Sequence, residues 1–379
     1  MGKHALLSAS GSKRWLNCPP SARLCEDYDD ITSSYAAEGT DAHSLCEYKL
    51  RIGLGEDESK AADPREHLSY YNEEMEECSD GYAAFILELV EETKQTCKDP
   101  VVLIEQRLDF SKYVPDGFGT GDCVIIADGT LHIVDYKHGA GVLVEAEENP
   151  QMKLYALGAL ELFDGIYDID TVAMTVYQPR RDNLSMHSVS KESLYQWAED
   201  VLKPTAAIAF EGQGSFSCGD WCGFCKARAE CRERANFNLA LAKYDFTEPA
   251  LLENDEIASI LSKIDGLTAW AEDVKKFALT EALKGAKFPG FKVVEGRSNR
   301  KYIDESAVAD AVKTLDIDPF EHKLLGITAM EKLLGKPRFS ELLSRYITKP
   351  QGKPVLVPED DNRTALKFNT AADDFADQN

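Results

Sequence analysis

Two aspartates and a lysine on neighbouring predicted strands offer the clearest chemistry in this sequence. Asp122 and Asp135 lie on either side of Asp128-Gly129, a dipeptide that favours a two-residue turn between antiparallel strands. Such a turn pairs residues whose numbers sum to 257, so it sets Asp122 opposite Asp135 on one face of the sheet. Lys137 lies two residues further on and shares that face, because side chains alternate along a strand.

The rest of this face is apolar and consists of Val124, Ile126, Leu131 and Ile133. Two carboxylates opposed at the edge of a buried surface repel each other, and loss of water adds to the cost. A divalent cation removes the conflict, since two carboxylates and a backbone carbonyl suit Mg²⁺ or Mn²⁺. Lys137 would then orient an attacking water and stabilise charge on a phosphate. The alternative is a surface hairpin with solvated aspartates, in which Lys137 forms an ordinary ion pair.

Polar residues on flanking elements can extend this site. His43 and Glu47 are four residues apart on one face of a predicted helix, and so are Gln151 and Tyr155 on a helix that begins near Pro150. Alone, each pair is equally typical of a solvated or packed helix edge. Glu105 lies in the middle of a predicted strand, where it is either a further acid near the metal or an outward-facing residue.

A cysteine cluster has the spacing of metal ligands. Its sequence is Cys218-x₃-Cys222-x₂-Cys225-x₅-Cys231, in a chain with ten cysteines in total. A four-thiolate site takes its fourth ligand either from Cys218, as in a local zinc site, or from Cys18, which closes a ring of about 200 residues. The spacing leaves both choices open. The remaining five cysteines are predicted to be ordinary buried thiols: Cys25, Cys46, Cys78, Cys97 and Cys123.

The composition is that of a globular protein, but its charge is unusual for one that binds nucleic acid. The chain has 379 residues, is 44% hydrophobic and carries a net charge of −24. Between Glu26 and Pro100 there are 21 acidic and 6 basic residues, so about −15 of the charge is in one segment. A local basic run, Lys226–Arg234, is the more plausible place for a phosphate backbone. With no apolar run of membrane length and no signal-peptide pattern, we expect a soluble, cytoplasmic protein without a membrane partner.

The pattern of apolar residues predicts helices before and after a β-rich region. The predicted strands are 101–108, 122–127, 131–137, 171–177 and 291–295, and the predicted helices include 72–98, 150–163, 191–209 and 257–283. We expect three regions: a domain at 1–240, a mainly helical accessory region at 246–349 and a flexible tail at 350–379.

Taken together, residues 10–235 resemble the RecB-like branch of the PD-(D/E)XK nuclease superfamily. Gly39-Thr40-x-x-His43 is similar to its first motif, Gly121-Asp122 to the second and Asp135-Tyr136-Lys137 to the third. Gln151-x₃-Tyr155 resembles the Q-x-x-x-Y motif, whose helix contacts DNA. The resemblance implies an α/β restriction-endonuclease-like core, a mixed central sheet flanked by helices. It also implies His43, Asp122, Asp135 and the Tyr136 carbonyl as metal ligands.

The same branch includes AddB-type and CRISPR-associated exonucleases that contain a [4Fe–4S] cluster. By that resemblance the cluster ligands here are Cys18, Cys222, Cys225 and Cys231, with Cys218 as a bystander. The segment Trp15–Ser21 further resembles an uncharacterised family of phage and prophage proteins, which implies a bacterial host cell.

The resemblance therefore implies a Mg²⁺- or Mn²⁺-dependent deoxyribonuclease, with DNA single strands or duplex ends as substrate. An exonuclease in phage replication or recombination, alongside other proteins of those processes, is the leading expectation. Two alternatives remain: a non-catalytic DNA-binding accessory protein on the same fold, and a zinc-stabilised interaction protein.

Overall fold

A five-stranded mixed sheet organises the chain in this computed structural model. The described residues are 5–29, 33–57, 62–240, 252–295, 302–313, 319–320, 324–348 and 364. The strands follow one another across the sheet in chain order: β1 (Val101–Asp109), β2 (Phe118–Ile126), β3 (Gly129–Tyr136), β4 (Ile169–Gln178) and β5 (Asn183–Ser190). Neighbours are antiparallel except β3 and β4, which are parallel. Because a parallel pair needs a crossover, a helix connects these two strands.

Helices precede, interrupt and follow the sheet. Before and within it they are α1 (Ser12–Asn17), α2 (Ser21–Leu24), α3 (Ser34–Gly53), α4 (Glu73–Thr93) and the crossover helix α5 (Pro150–Phe163). After it come α6 (Lys191–Trp197), α7 (Lys203–Phe210), α8 (Arg232–Leu239), α9 (Asn254–Leu283), α10 (Glu305–Lys313), α11 (Ile327–Leu334) and α12 (Lys336–Leu343). A π-helical turn at Ala198–Leu202 joins α6 to α7.

Each face of the sheet packs against its own group of helices. The four apolar residues that the sequence assigned to one face are all fully buried in the core that includes α5. The residues that alternate with them along each strand, among them Ile125 on β2 and Tyr136 on β3, are buried against α3 and α4. Alternation along β2 and β3 therefore divides the core into two layers, as a sheet covered on both sides requires.

The predicted register of the β2–β3 hairpin is confirmed. Cys123 pairs with Val134 and Ile126 with Leu131, and both pairs sum to 257. The turn depends on Gly129, whose φ of 87° is a conformation that residues with a Cβ rarely adopt.

The predicted helices and all but one of the predicted strands are present, although α4 ends at Thr93 and β2 begins at Phe118. Helix α5 has the predicted bounds, and α4 buries Tyr82 and Ile86. The predicted strand at 291–295 is wrong: these residues have no regular structure, and Phe291 is 85% exposed. Strand β5 was not predicted, because every second residue of this edge strand is exposed and the segment is rich in serine.

The chain divides into two units, Met1–Glu281 and Ala282–Asn379. The first is mixed α/β, with the five-stranded sheet flanked by helices. In the second, the described regular structure includes the short helices α10 to α12. The predicted tail beyond Pro350 lies outside the described residues apart from Thr364. Where the structure is described, no helix is both long and apolar enough to cross a bilayer.

Candidate metal centre and cysteine cavity

His43, Glu105 and Asp122 form a compact group of possible metal ligands. His43 lies on helix α3, whose start is capped by the side chain of Ser33 and which packs on the Tyr136 face of the sheet. Nδ1 of His43 lies 3.3 Å from Oδ1 of Asp122 on β2. One ligand atom from each of the three residues lies within 4.8 Å of the other two. The arrangement offers two carboxylates and an imidazole to one cation.

Glu105 belongs to this group because of an unusual backbone conformation. Its neighbours in β1 keep the regular register, Ile104 with Cys123 and Gln106 with Gly121, so Glu105 occupies the position opposite Asp122. Its φ is +50°, which costs a residue other than glycine about 1–3 kcal/mol. The alternative left open by the sequence is therefore resolved in favour of a third acid beside Asp122.

Asp135, Lys137, Gln151 and Tyr155 form a second, hydrogen-bonded set. Nζ of Lys137 lies 2.7 Å from Oδ2 of Asp135 and 3.3 Å from Oε1 of Gln151. Nε2 of Gln151 donates to Oδ1 of Asp135 at 3.2 Å and contacts the Tyr155 hydroxyl at 3.0 Å. Gln151 is thus the residue through which helix α5 holds both ends of the Asp135–Lys137 pair.

Local sequence explains where α5 places these side chains. The Asn149 side chain caps the helix at Gln151 N, and Pro150 begins its first turn. Gly119 on β2 lets the helix approach closely, since a Cβ there would lie 2.7 Å from Cε1 of Tyr155. The glycine was not identified from the sequence, because only the packed structure shows which side chain needs that space.

Tyr136 connects the two sets through its backbone. Its N–H donates to Oδ2 of Asp122 at 2.7 Å, while the residues on either side of it are Asp135 and Lys137. The N–H of Lys137 donates to the Tyr177 carbonyl at 2.9 Å, which fixes the end of β3 against β4. Glu47, also considered from the sequence, instead pairs with Arg51 at 2.9 Å.

The charges of the site are strongly coupled. Burial raises the pKa of Glu105 to about 7, and the Asp122 charge adds to the rise. Burial likewise raises the pKa of Asp135, against the opposing effect of Lys137. For Asp122, burial is outweighed by His43, so its pKa is lowered. Three carboxyl groups share too little positive charge for all of them to ionise easily.

The residues present fit a hard divalent cation. Asp135 is buried, and its Oδ2 forms an ion pair with Nζ of Lys137 at 2.7 Å. A cation held by His43, Glu105 and Asp122 would offset the repulsion between the two carboxylates of that group. Oxygen donors together with one imidazole are the ligands of Mg²⁺ and Mn²⁺ sites.

The four cysteines assigned to a cluster line one cavity. Cys18 follows α1, whereas Cys222, Cys225 and Cys231 come from the segment between α7 and α8, about 200 residues later. The guanidinium groups of Arg14, Arg228 and Arg234 also line the cavity. Positive groups beside several thiolates offset the charge that a bound metal centre with four thiolate ligands would carry. The cavity therefore fits a cluster in charge and in donor type.

Two further cysteines contact the lining thiols. The Sγ atoms of Cys25 and Cys225 are 3.7 Å apart, and those of Cys218 and Cys222 are 3.8 Å apart. Cys25 is buried as predicted, and its Sγ contacts a thiol of the cavity lining, which the sequence did not indicate. The other thiols predicted to be ordinary are buried at Cys46, Cys97 and Cys123 and partly exposed at Cys78.

The spacing of the thiols differs from that of a single-zinc site. Four sulfurs bound to one Zn²⁺ at about 2.3 Å lie within 4 Å of one another. Among the described residues no three cysteines have Sγ atoms within 4.8 Å of one another.

The basic run near the cavity is largely engaged within the protein. Arg234 is 5% exposed and donates to Oδ2 of Asp273 at 2.6 Å, and Arg228 donates to the other oxygen at 3.0 Å. Arg232, by contrast, is exposed. Two of the four basic residues therefore stabilise the cysteine segment against α9.

The chain matches a family model and resembles several solved protein structures. The solved structure described as "Crystal structure of SSO0001" is 12% identical over 59% of this chain and 96% of that chain, with a TM-score of 0.22. A likeness of that size carries no argument about fold or function. The family model described as "Protein of unknown function (DUF2800)" matches residues 4–364.

Proposed function

The chain belongs to this family of proteins of unknown function, and from its own residues we propose that it is a metal-dependent deoxyribonuclease. The observation that carries the proposal is the group of possible metal ligands formed by His43, Glu105 and Asp122. Next to it lies the buried Asp135, which pairs with Lys137 at 2.7 Å. A carboxylate poised for a cation and paired with a lysine is suited to hydrolysis of a phosphodiester bond. The proposed protein is an exonuclease of DNA ends or single strands.

Four side chains would hold the ion. Asp122 lies between His43 and Glu105 on one side and the peptide N–H of Tyr136 on the other, so it is the central ligand. Asp135 and the Tyr136 carbonyl complete the proposed set. When bound, Mg²⁺ or Mn²⁺ would supply positive charge to the scissile phosphate.

Lys137 would serve the attacking water. Its side chain is 26% exposed, and its ammonium group is held at one side by Asp135 and Gln151, so it can orient a water towards an incoming phosphate. Burial opposes the charge on Lys137, but Asp135 outweighs it and raises the pKa of the ammonium. Lys137 therefore acts by orientation and charge, and Gln151 and Tyr155 would position the DNA strand beside it.

The cysteine cavity is proposed to hold a [4Fe–4S] cluster on Cys18, Cys222, Cys225 and Cys231. Its place supports a structural role, because the ligands join the segment after α1 to the segment before α8. Quantification of iron, acid-labile sulfide and zinc on anaerobically purified full-length protein tests this. About four irons per chain agree with the proposal, whereas one zinc and no iron contradict it.

The activity is tested with end-labelled linear DNA, single- and double-stranded and labelled at either end, incubated with the same protein preparation. We expect Mg²⁺- or Mn²⁺-dependent cleavage that EDTA stops and that Asp135→Asn reduces by roughly 100-fold or more. The matched control is Glu47→Gln, on the helix that carries His43, because Glu47 pairs with Arg51. Binding without cleavage, unchanged by chelator, would instead indicate the non-catalytic DNA-binding protein.

A further inference from the structure

A partly buried polar junction lies beside the candidate metal centre. It consists of Glu38 on α3, His138 just after β3, and Arg180 just after β4. Oε1 of Glu38 lies 3.2 Å from Nη1 of Arg180 and 3.6 Å from Nε2 of His138. Glu74 on α4 pairs with the other terminal nitrogen of Arg180 at 3.3 Å. None of these residues belongs to the proposed ligand set.

His138 holds the tyrosine at the centre of the site. Its Nδ1 lies 2.8 Å from the Tyr136 hydroxyl, and the two rings are stacked. The Tyr136 ring also packs perpendicular to the ring of His43, with ring centres 5.5 Å apart. The backbone of the same tyrosine binds Asp122. A shift of the Tyr136 ring would therefore move both His43 and the Tyr136 N–H that donates to Asp122.

The second ring nitrogen of His138, Nε2, indicates that a histidine at this position lowers the stability of the fold. His138 is 4% exposed, and its Nε2 has no hydrogen-bond partner among the described residues. At 3.6 Å the nearest carboxylate oxygen, of Glu38, is too far for a hydrogen bond. A buried polar atom in that state costs about 1–3 kcal/mol, which an apolar side chain would avoid. Stability alone does not account for a histidine at this position.

We propose that His138 and Glu38 are positioning residues of the metal centre, holding Tyr136 and helix α3 so that His43 and Asp122 converge on one cation. Glu38 lies five residues before His43 on the same helix, so its ion pair with Arg180 fixes the depth and rotation of that helix. His138 fixes the tyrosine whose peptide binds Asp122. The inference rests on the proposed metal-dependent function.

The test is a series of full-length variants titrated with Mn²⁺ in the absence of DNA. His138→Leu removes both ring nitrogens, and we expect the Mn²⁺ dissociation constant to rise about 10-fold or more, in the range usual for residues that orient ligands. His138→Asn keeps an acceptor near the Nδ1 position and should recover most of the affinity. Tyr136→Phe combined with His138→Leu should cost little more than either alone, because both remove one hydrogen bond.

The controls separate positioning from folding. His132→Asn changes a histidine within β3, six residues before His138, and should leave Mn²⁺ affinity within about 2-fold of the parent. Glu38→Gln, a milder change, guards against a His138→Leu variant that fails to fold, and it should weaken binding in the same direction. Unfolding midpoints are measured for every variant.

Each result decides the matter. Variants that unfold earlier but bind Mn²⁺ like the parent would show a purely structural role and overturn the inference. A parent protein that binds Mn²⁺ but cuts no DNA would refute the proposed nuclease, while the Mn²⁺ series would still test His138 and Glu38. A parent that binds no Mn²⁺ would refute both.

Discussion

Gln151 shows at the residue scale how one uncharged side chain can hold a charged pair. Its oxygen faces Lys137 and its nitrogen faces Asp135, so each end of the amide meets the charge that it suits. A glutamate here would repel Asp135, and a lysine would repel Lys137. The amide is therefore the group that satisfies both partners at once.

We predict that Gln151→Met, which keeps the length of the side chain but removes its hydrogen bonds, lowers the single-turnover cleavage rate by about 10- to 100-fold. The reason is that Asp135 and Lys137 lose the group that orients them. Tyr155→Phe leaves both contacts of Gln151 with that pair and should cost about 3- to 10-fold. A Gln151→Met variant as fast as the parent would contradict this role.

Part of the candidate site could be predicted from local sequence and part could not. The Asp128-Gly129 turn fixes which residues face each other, so the placement of Asp122 and Asp135 on one face follows from alternation. The direction of the Glu105 side chain could not be predicted, because it depends on a left-handed backbone conformation that glutamate rarely adopts. Glu38, His138 and Cys25 were missed because their partners are distant in sequence.

At the scale of elements, an ion network joins α3, the segment that follows it and α4. Glu76 accepts from Arg65 at 2.8 and 3.2 Å and lies 2.9 Å from Nζ of Lys49. The hydrogen bond from Arg65 lowers the pKa of Glu76 to about 2, from an ordinary value of 4.5. This network holds together the two helices that cover the Tyr136 face of the sheet.

The network gives a pH-dependent prediction. Because the folded pKa of Glu76 is depressed, its contribution is complete above about pH 4.5 and is lost as the pH falls towards 2. Glu76→Gln should therefore lower the free energy of unfolding at pH 7 by about 2 kcal/mol, and the difference should shrink in acid. Urea denaturation at several pH values measures it. Asp80→Asn, at an exposed partner of Lys49, should cost at most about 1 kcal/mol.

Secondary structure could be predicted where one face of an element is buried. Helix α5 is almost entirely apolar between its Asn149 cap and its end, and its bounds followed directly. The residues 291–295 show the opposite case, since a short β-branched run forms a strand only when a neighbouring strand accepts its backbone hydrogen bonds. For β5, the pairing with β4 supplies what the serine-rich sequence does not indicate.

At the scale of the whole unit, Asp273 on α9 anchors the cysteine segment. It receives hydrogen bonds from both Arg228 and Arg234, and Arg234 is buried. We predict that Asp273→Asn destabilises the protein by roughly 3 kcal/mol, because a buried guanidinium then lacks its counter-charge. Chemical denaturation measures this, and the iron content of the variant should fall as well.

The matched control for Asp273 is its neighbour. Glu272 is 54% exposed and pairs with Lys275, so Glu272→Gln should change the stability by less than about 1 kcal/mol. Equal effects of the two substitutions would contradict the anchoring role. The contacts of Asp273 also explain why the basic run Lys226–Arg234 is a poor predictor of a DNA-binding surface. Two of its arginines, Arg228 and Arg234, already have this carboxylate as a partner.

The helices α1 and α2 pack against α7 and the segment that follows it, and this has a consequence for synthesis on the ribosome. Arg23 donates to the carbonyl of Phe210 at 2.6 Å, and Cys18 shares its cavity with Cys231. At typical translation speeds, the later partner emerges roughly 10 to 40 s after the earlier one. During that interval α1 and α2 lack their contacts with α7, and Cys18 is exposed to whatever thiol or metal it meets. These contacts therefore form late in synthesis, long after the helices themselves have emerged.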